Sequence, residues 1–155
     1  MIAVEQLGIK QGAFALSDVT FSVPAGRYAV LMGRTGAGKT TILEAMAGLR
    51  PVYTGRVTIA GIDVTHATPA ARNLGYVPQD AALFTSMTVR ENIGFALRVR
   101  RWPRERIAAR VDELAELLGL AELLGRMPQG LSGGEAQRVA LGRAIAFHPR
   151  VLLLD

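Results

Sequence analysis

The 155-residue sequence contains no cysteine, which excludes a disulfide scaffold, a thiolate metal site and a cysteine nucleophile. Its two histidines, His66 and His148, stand far apart without metal-ligand spacing, which argues against a histidine-based zinc centre. No stretch approaches the roughly 18 to 20 apolar residues that span a bilayer. The start, Met1-Ile2-Ala3-Val4-Glu5-Gln6-Leu7, lacks the basic end and apolar core of a signal peptide, so a cytoplasmic location is expected. Internal repeats and low-complexity segments are missing as well. Acidic residues are outnumbered, Asp+Glu 13 against Lys+Arg 18, giving a net charge of +5. Sixteen of the 18 basic residues are arginine. The cluster Arg98, Arg100, Arg101, Arg104, Arg106 and Arg110 is interleaved with or followed by Glu105, Asp112, Glu113 and Glu116, the pattern of a solvated helix face, so no nucleic-acid partner is expected.

Half of the residues are hydrophobic and 20% are charged, the balance of a folded chain with a real core. Ile2 to Leu7 and Val19 to Val23 read as short strands, with a turn at Pro24-Ala25-Gly26. Tyr28-Ala29-Val30-Leu31-Met32 reads as a buried strand, and a helix with Ile42, Leu43, Ala45, Met46 and Leu49 on its apolar face is expected to run until Pro51. Arg56 to Ala60 and Leu74 to Val77 read as further strands. Helices are expected over Thr88 to Val99, from Pro103 with a stripe of Ile107, Val111, Leu114, Leu117 and Leu118, and from about Glu135 to Phe147. The sequence closes on Val151-Leu152-Leu153-Leu154-Asp155, a buried strand with a carboxylate at its tip. Since termini are ordinarily polar and frayed, the expectation is a fragment of a larger domain.

Between the strand at Tyr28 and the helix at Thr41 lies Gly33-Arg34-Thr35-Gly36-Ala37-Gly38-Lys39-Thr40-Thr41, the phosphate-binding loop pattern in its required strand–loop–helix context. Glycines let successive backbone N–H groups turn inward around phosphate oxygens, and the helix N-terminus adds unsatisfied donors and partial positive charge. Lys39 can reach the β- and γ-phosphates, the Thr40 hydroxyl can ligate Mg²⁺, and Thr41 caps or packs the first turn. At average glycine usage the fixed positions arise by chance about once in every few hundred chains of this size.

A second glycine pair opens a helix at Leu131-Ser132-Gly133-Gly134-Glu135-Ala136-Gln137-Arg138, where Ser132 can cap and exposed N–H groups form a second anion site. Two phosphate-receiving helix ends in one chain point to two chains sandwiching a nucleotide between unlike sites. This stretch resembles the signature of the ATP-binding cassette family, and the family's other landmarks follow in order: Gln79 in Tyr76-Val77-Pro78-Gln79-Asp80 resembles the Q-loop glutamine, and Asp155 the Walker B aspartate.

The resemblance covers essentially the whole chain and implies an α/β fold: a P-loop NTPase (RecA-like) core, an N-terminal antiparallel β-subdomain and an inserted helical subdomain, incomplete at the C-terminus. It implies residues 1–155 as a partial nucleotide-binding domain, with 1–80 holding the β-subdomain and P-loop part of the core, 81–130 mainly the helical subdomain, and 131–155 the signature helix and Walker B strand. Implied cofactors are ATP and Mg²⁺, with Thr40, Gln79 and Asp155 around the metal and Lys39, Gln79 and Asp155 in catalytic roles. Leu131, Ser132, Gly133, Gly134, Glu135 and Gln137 would contact the ATP of a head-to-tail partner, a second copy or a related ATPase subunit. The family's base-stacking aromatic has Phe14 as its nearest candidate, displaced from the usual place near Lys10. The glutamate that polarises attacking water follows the Walker B aspartate in the family, and the sequence stops one residue before it. The 155-residue chain is therefore expected to bind ATP without turning it over.

The run from Pro78-Gln79-Asp80 through Thr88-Val89 to Asn92-Ile93 most resembles ATPases of bacterial importers, among them those for molybdate, sulfate, sugars or polyamines. In such proteins Leu83, Phe84 and Met87 would help line a groove for the membrane subunit. The implied partners are permease subunits and an extracytoplasmic solute-binding protein, with the ATPase on the inner face of the plasma membrane. An ATP-binding cassette protein of nucleic-acid maintenance is disfavoured, because only 132 − 39 = 93 positions separate Lys39 from Ser132, too few for an inserted coiled coil. A translation factor would ordinarily carry two cassettes. A non-hydrolytic nucleotide-binding remnant is the remaining alternative.

Overall fold

The computed structural model describes residues 1–12 and 14–155, which divide into two units, Met1–Leu74 with Asp155, and Gly75–Leu154. The first unit is built on an antiparallel sheet in the order β2-β1-β3-β4, with β1 Ile2–Gln11, β2 Phe14–Val23, β3 Thr54–Ile59 and β4 Ile62–Asp63. Strict alternation along β1 would bury Ile2 and Val4 and then expose Leu7 and Ile9. All four are buried, because a register shift between Val4 and Leu7, where Gln6 takes a φ of 49°, changes the phase of the strand by one residue. The Gln6 N–H freed from the ladder donates to Thr20 Oγ1 at 2.9 Å. Val57 and Ile59 of β3 complete the buried face.

The expected strand Tyr28–Met32 does not form: this segment joins neither sheet, and Tyr28 and Met32 are 93% and 87% exposed. An apolar run becomes a strand only where a neighbour takes its N–H and C=O groups, and among the described residues none does. Helix α1 (Lys39–Ala47) buries Ile42, Leu43, Ala45, Met46 and Ala47. It stops at Gly48 and not at Pro51, because Gly48 adopts the left-handed conformation that ends a helix, its N–H donating to Ala45 C=O; Leu49 is left exposed beyond the end.

The end of α1 is held by Arg72, which is buried and carries its charge among backbone carbonyls. Its guanidinium donates to Ala45 and Met46 C=O at 2.8 and 3.0 Å, to Thr65 C=O at 2.9 Å and to Ala67 C=O at 3.0 Å. A cation at a helix C-terminus also complements the helix dipole. Arg72→Met removes the donor that these carbonyls share, while Ala45 C=O keeps its bond from Gly48 N–H, and should lower stability by about 2–4 kcal/mol in urea unfolding; an unchanged midpoint would show that the Arg72 bonds do not hold the end of α1.

In the second unit β5 (Leu74–Val77) pairs with β6 (Val151–Leu154), and three helices surround one core: α2 (Val89–Val99), α3 (Arg104–Leu118) and α4 (Gly133–Ile145). Val89, Ile93 and Leu97 recur every four residues on α2 and meet Val111, Leu114 and Ala115 of α3 and Val139 of α4. Gly142 lets α4 come close, since a Cβ there would lie 3.1 Å from Leu118 and 3.4 Å from Ile93. Two expectations fail in this unit. Leu117 is 71% exposed, lying about 100° round the helix from Leu118, and Ala115 takes its place in the core. In β6 Leu153 is buried whereas Leu152 and Leu154, on the opposite face of the strand, are exposed. Among the described residues no helix is long and apolar enough to cross a membrane.

Candidate functional site

The loop between Gly33 and Lys39 is shaped by Gly36 and Gly38, with φ of 81° and 90°, and by a turn in which Ala37 N–H donates to Arg34 C=O at 3.1 Å. The first backbone bond of α1 runs from Ile42 N–H to Gly38 C=O at 2.9 Å, and no side chain caps the helix. The N–H groups of Lys39, Thr40 and Thr41 therefore precede the intrahelical ladder, at the positive end of the helix dipole. Gly33, Arg34, Thr35, Gly36 and Ala37 are exposed, so an anion can reach these donors from solvent.

Lys39 folds back over its own loop, Nζ donating to Gly33 C=O at 2.9 Å and Arg34 C=O at 3.0 Å. The Thr40 hydroxyl donates to Asp155 Oδ1 at 2.9 Å across 115 positions of sequence. A Cβ on Gly38 would fall 2.6 Å from Leu16 Cδ1 and 2.9 Å from Phe14 Cζ. Phe14, the aromatic singled out as a base-stacking candidate, thus has its ring tip against the last glycine of the loop and is half-buried there.

The donor set fits Mg²⁺. Thr40 and Asp155 present hard oxygen atoms beside the uncapped N–H groups at the start of α1, and among the described residues no group of three or more His, Cys, Asp and Glu could form a protein-only cage. An ion that takes much of its shell from phosphate and water suits such a sparse site.

The second glycine pair sits on α4 as a capping box. Ser132 N–H and Oγ–H donate to Glu135 Oε2 at 2.7 and 2.6 Å, and Glu135 N–H returns to Ser132 Oγ at 3.4 Å. The hydroxyl and then the backbone N–H of Ser132 hold the Glu135 carboxyl below its ordinary range, so the helix starts with a carboxylate beside Gly133 and Gly134. Leu131, just ahead, packs against the helical core. Gln137 Nε2 donates to Gln79 C=O at 2.6 Å, bringing together two residues singled out separately in the sequence; the Gln79 side chain is exposed.

Two residues in this region were missed as participants. Asn92 is fully buried on α2: its Oδ1 accepts from Phe84 N–H at 2.9 Å, and its Nδ2 donates to Phe84, Met87 and Thr88 C=O at 3.1, 3.0 and 3.0 Å. The segment 84–88 is wrapped around one carboxamide. A polar residue between Val89 and Ile93 on an apolar stripe was the available signal. Arg143 gave no local signal; it donates to Ala82 and Ala81 C=O at 2.8 and 3.0 Å. Asn92→Ala should leave Phe84 N–H and Met87 C=O unmatched, because the Phe84 and Thr88 carbonyls keep the backbone N–H groups of Met87 and residue 92, costing about 1–3 kcal/mol in denaturant unfolding, with near-wild-type stability contradicting this role.

The ABC transporter family matches residues 16–155 of this chain. The chain is 46% identical over 155 residues to the molybdate/tungstate import ATP-binding protein WtpC of Thermococcus kodakarensis, covering 100% of this chain and 47% of the relative. It is 47% identical over 156 residues to the sulfate/thiosulfate import ATP-binding protein CysA of Nocardia farcinica, again with 100% and 47% covered. It therefore spans about half the length of these curated relatives. Among solved structures, the ATP-binding cassette MJ0796 in a dimeric post-hydrolysis state bound to ADP and Pi is similar with a TM-score of 0.87 at 26% identity, over 100% of this chain and 73% of that chain.

Proposed function

The chain belongs to the ABC transporter family, and we propose that it is the ATP-binding part of an importer ATPase whose whole protein hydrolyses ATP to drive uptake of a small solute. The observation that carries this reading is the arrangement of Lys39, Thr40 and Asp155 around uncapped helix donors. Lys39 exchanges the carbonyls of Gly33 and Arg34 for terminal phosphate oxygens, while the loop N–H groups from Gly36 to Thr41 hold the inner phosphates. Thr40 and Asp155 hold Mg²⁺, which supplies charge neutralisation on the phosphates when bound. Phe14, whose ring tip lies against Gly38, would stack on the base.

Leu131 to Gln137 would serve a second nucleotide, that of a partner cassette arranged head to tail; the dimeric state of the structural relative bound to ADP and Pi supports pairing of two cassettes. Ser132 must then release Glu135 to donate to phosphate. Gln79 would sense the bound metal and report its state to permease subunits. The helical part, 81–130, would carry the surface that meets them; in sequence it follows the β-subdomain and P-loop part of the core in 1–80 and precedes the signature helix and Walker B strand in 131–155. This places the protein on the cytoplasmic face of the membrane, served by an extracytoplasmic solute-binding protein. The relatives are named for molybdate, tungstate, sulfate and thiosulfate import, so a tetrahedral oxyanion is the solute class we favour.

Calorimetric titration with MgATP, paired with sedimentation, tests the division of roles. Lys39→Ala should weaken ATP binding at least tenfold. Ser132→Arg should leave monomer binding within twofold and abolish nucleotide-dependent self-association. Equal loss of monomer binding in both variants would count against the proposal.

A further inference from the structure

The turn that follows Gln79 is strained, and it is held from outside. Ala81 and Ala82 are consecutive non-glycine residues in the left-handed region, with φ of 61° and 41°, a conformation that costs a residue bearing a Cβ and persists only where its surroundings impose it. Within the turn, Ala81 N–H donates to Pro78 C=O at 3.1 Å. The other constraints come from α4. Gln137 donates to the carbonyl of Gln79, and the two arms of the Arg143 guanidinium take the carbonyls of Ala81 and Ala82.

The two side chains flank a stripe of small residues. Ala140 and Ala144 of α4 are buried against Val77 and Ala81, so the backbone after β5 can lie directly on the helix. Arg143 is partly buried, and burial pulls its pKa down. Among the described residues it forms no ion pair; its charge meets the two carbonyls and the face of Phe84, whose ring centroid is 5.1 Å away. A planar guanidinium can serve two successive carbonyls at once, which an ammonium group on the same stem does less well.

We propose that Arg143 and Gln137 are positioning residues that fasten the 79–82 turn to α4, so that Gln79 moves as one piece with the helix that begins at Ser132. β5 delivers the chain to Gln79, but the helix sets where that residue stands. Displacement of the signature helix by a partner's nucleotide would then carry Gln79 with it, with no hinge between them. This consequence rests on the nucleotide reading of both motifs, whereas the fastening itself does not.

Amide hydrogen exchange on the full 155-residue chain tests the fastening, with ATP titration of the wild-type chain run alongside. Gln137→Glu keeps the shape of an exposed side chain and removes its donor, so a packing role would not register the change. We expect it to raise exchange at residues 79–81 at least tenfold while residues 135–146 keep wild-type protection. Arg143→Lys should raise exchange over 79–84 at least tenfold, and Arg143→Met should raise it further. Wild-type exchange over 79–84 in both Gln137→Glu and Arg143→Lys overturns the proposal. So does a parallel rise at 135–146 in every variant, which would make these residues mere supports of the helix. If Arg143→Met does not fold, the other two variants decide. Failure of the wild-type chain to bind ATP, with the exchange pattern as expected, would overturn the nucleotide reading and leave the fastening standing.

Discussion

One hydrogen bond carries the proposed nucleotide site of this chain: the Thr40 hydroxyl on Asp155 Oδ1, at 2.9 Å. It unites the first turn of the helix after the phosphate loop with a carboxylate that the sequence supplies 115 positions later. Each partner has little chemical meaning alone. A threonine in the first turn of a helix is commonplace, and a carboxylate at a strand end is ordinarily a surface charge. Set side by side next to uncapped backbone donors, they are the arrangement on which the proposed Mg²⁺–nucleotide site rests. Lys39, the residue next to Thr40, folds onto the carbonyls of its own loop.

Elsewhere the same economy recurs with different atoms. Arg72, Asn92 and Arg143 direct their polar groups mainly at backbone carbonyls, and each fixes a piece of irregular chain: the end of α1, the 84–88 segment and the turn after Gln79. Irregular backbone has no ladder to satisfy its polar groups, so a buried or half-buried side chain with several donors does that work. These three residues lie outside the glycine loop and the 131–138 stretch, yet their hydrogen bonds tie down the segments beside them.

The parts of the fold that were legible in the sequence are those whose information is local. The glycine loop before α1 and the capped start of α4 could be read from residue types at fixed spacing, because glycine conformation and a helix N-terminus are properties of a few consecutive residues. The helices were found for the same reason, although the end of α1 at Gly48 was overlooked in favour of the more conspicuous Pro51. The strand expected at Tyr28–Met32 failed because a strand is a property of two segments, and hydrophobicity says nothing about whether a partner is present. The phase change at Gln6 was invisible as well, since it depends on the register with β2 and β3. Arg143 meets carbonyls 61 and 62 positions away, a relation that no local pattern encodes.

The central claim is that Thr40 and Asp155 form the protein's share of a Mg²⁺–nucleotide site. Its most direct test is the affinity of the chain for ATP with and without Mg²⁺, compared between the wild-type protein and Asp155→Asn. The account predicts that Mg²⁺ tightens ATP binding in the wild type and that Asp155→Asn reduces this enhancement at least tenfold, leaving Mg²⁺-free binding within twofold. An undiminished Mg²⁺ enhancement in Asp155→Asn would contradict it.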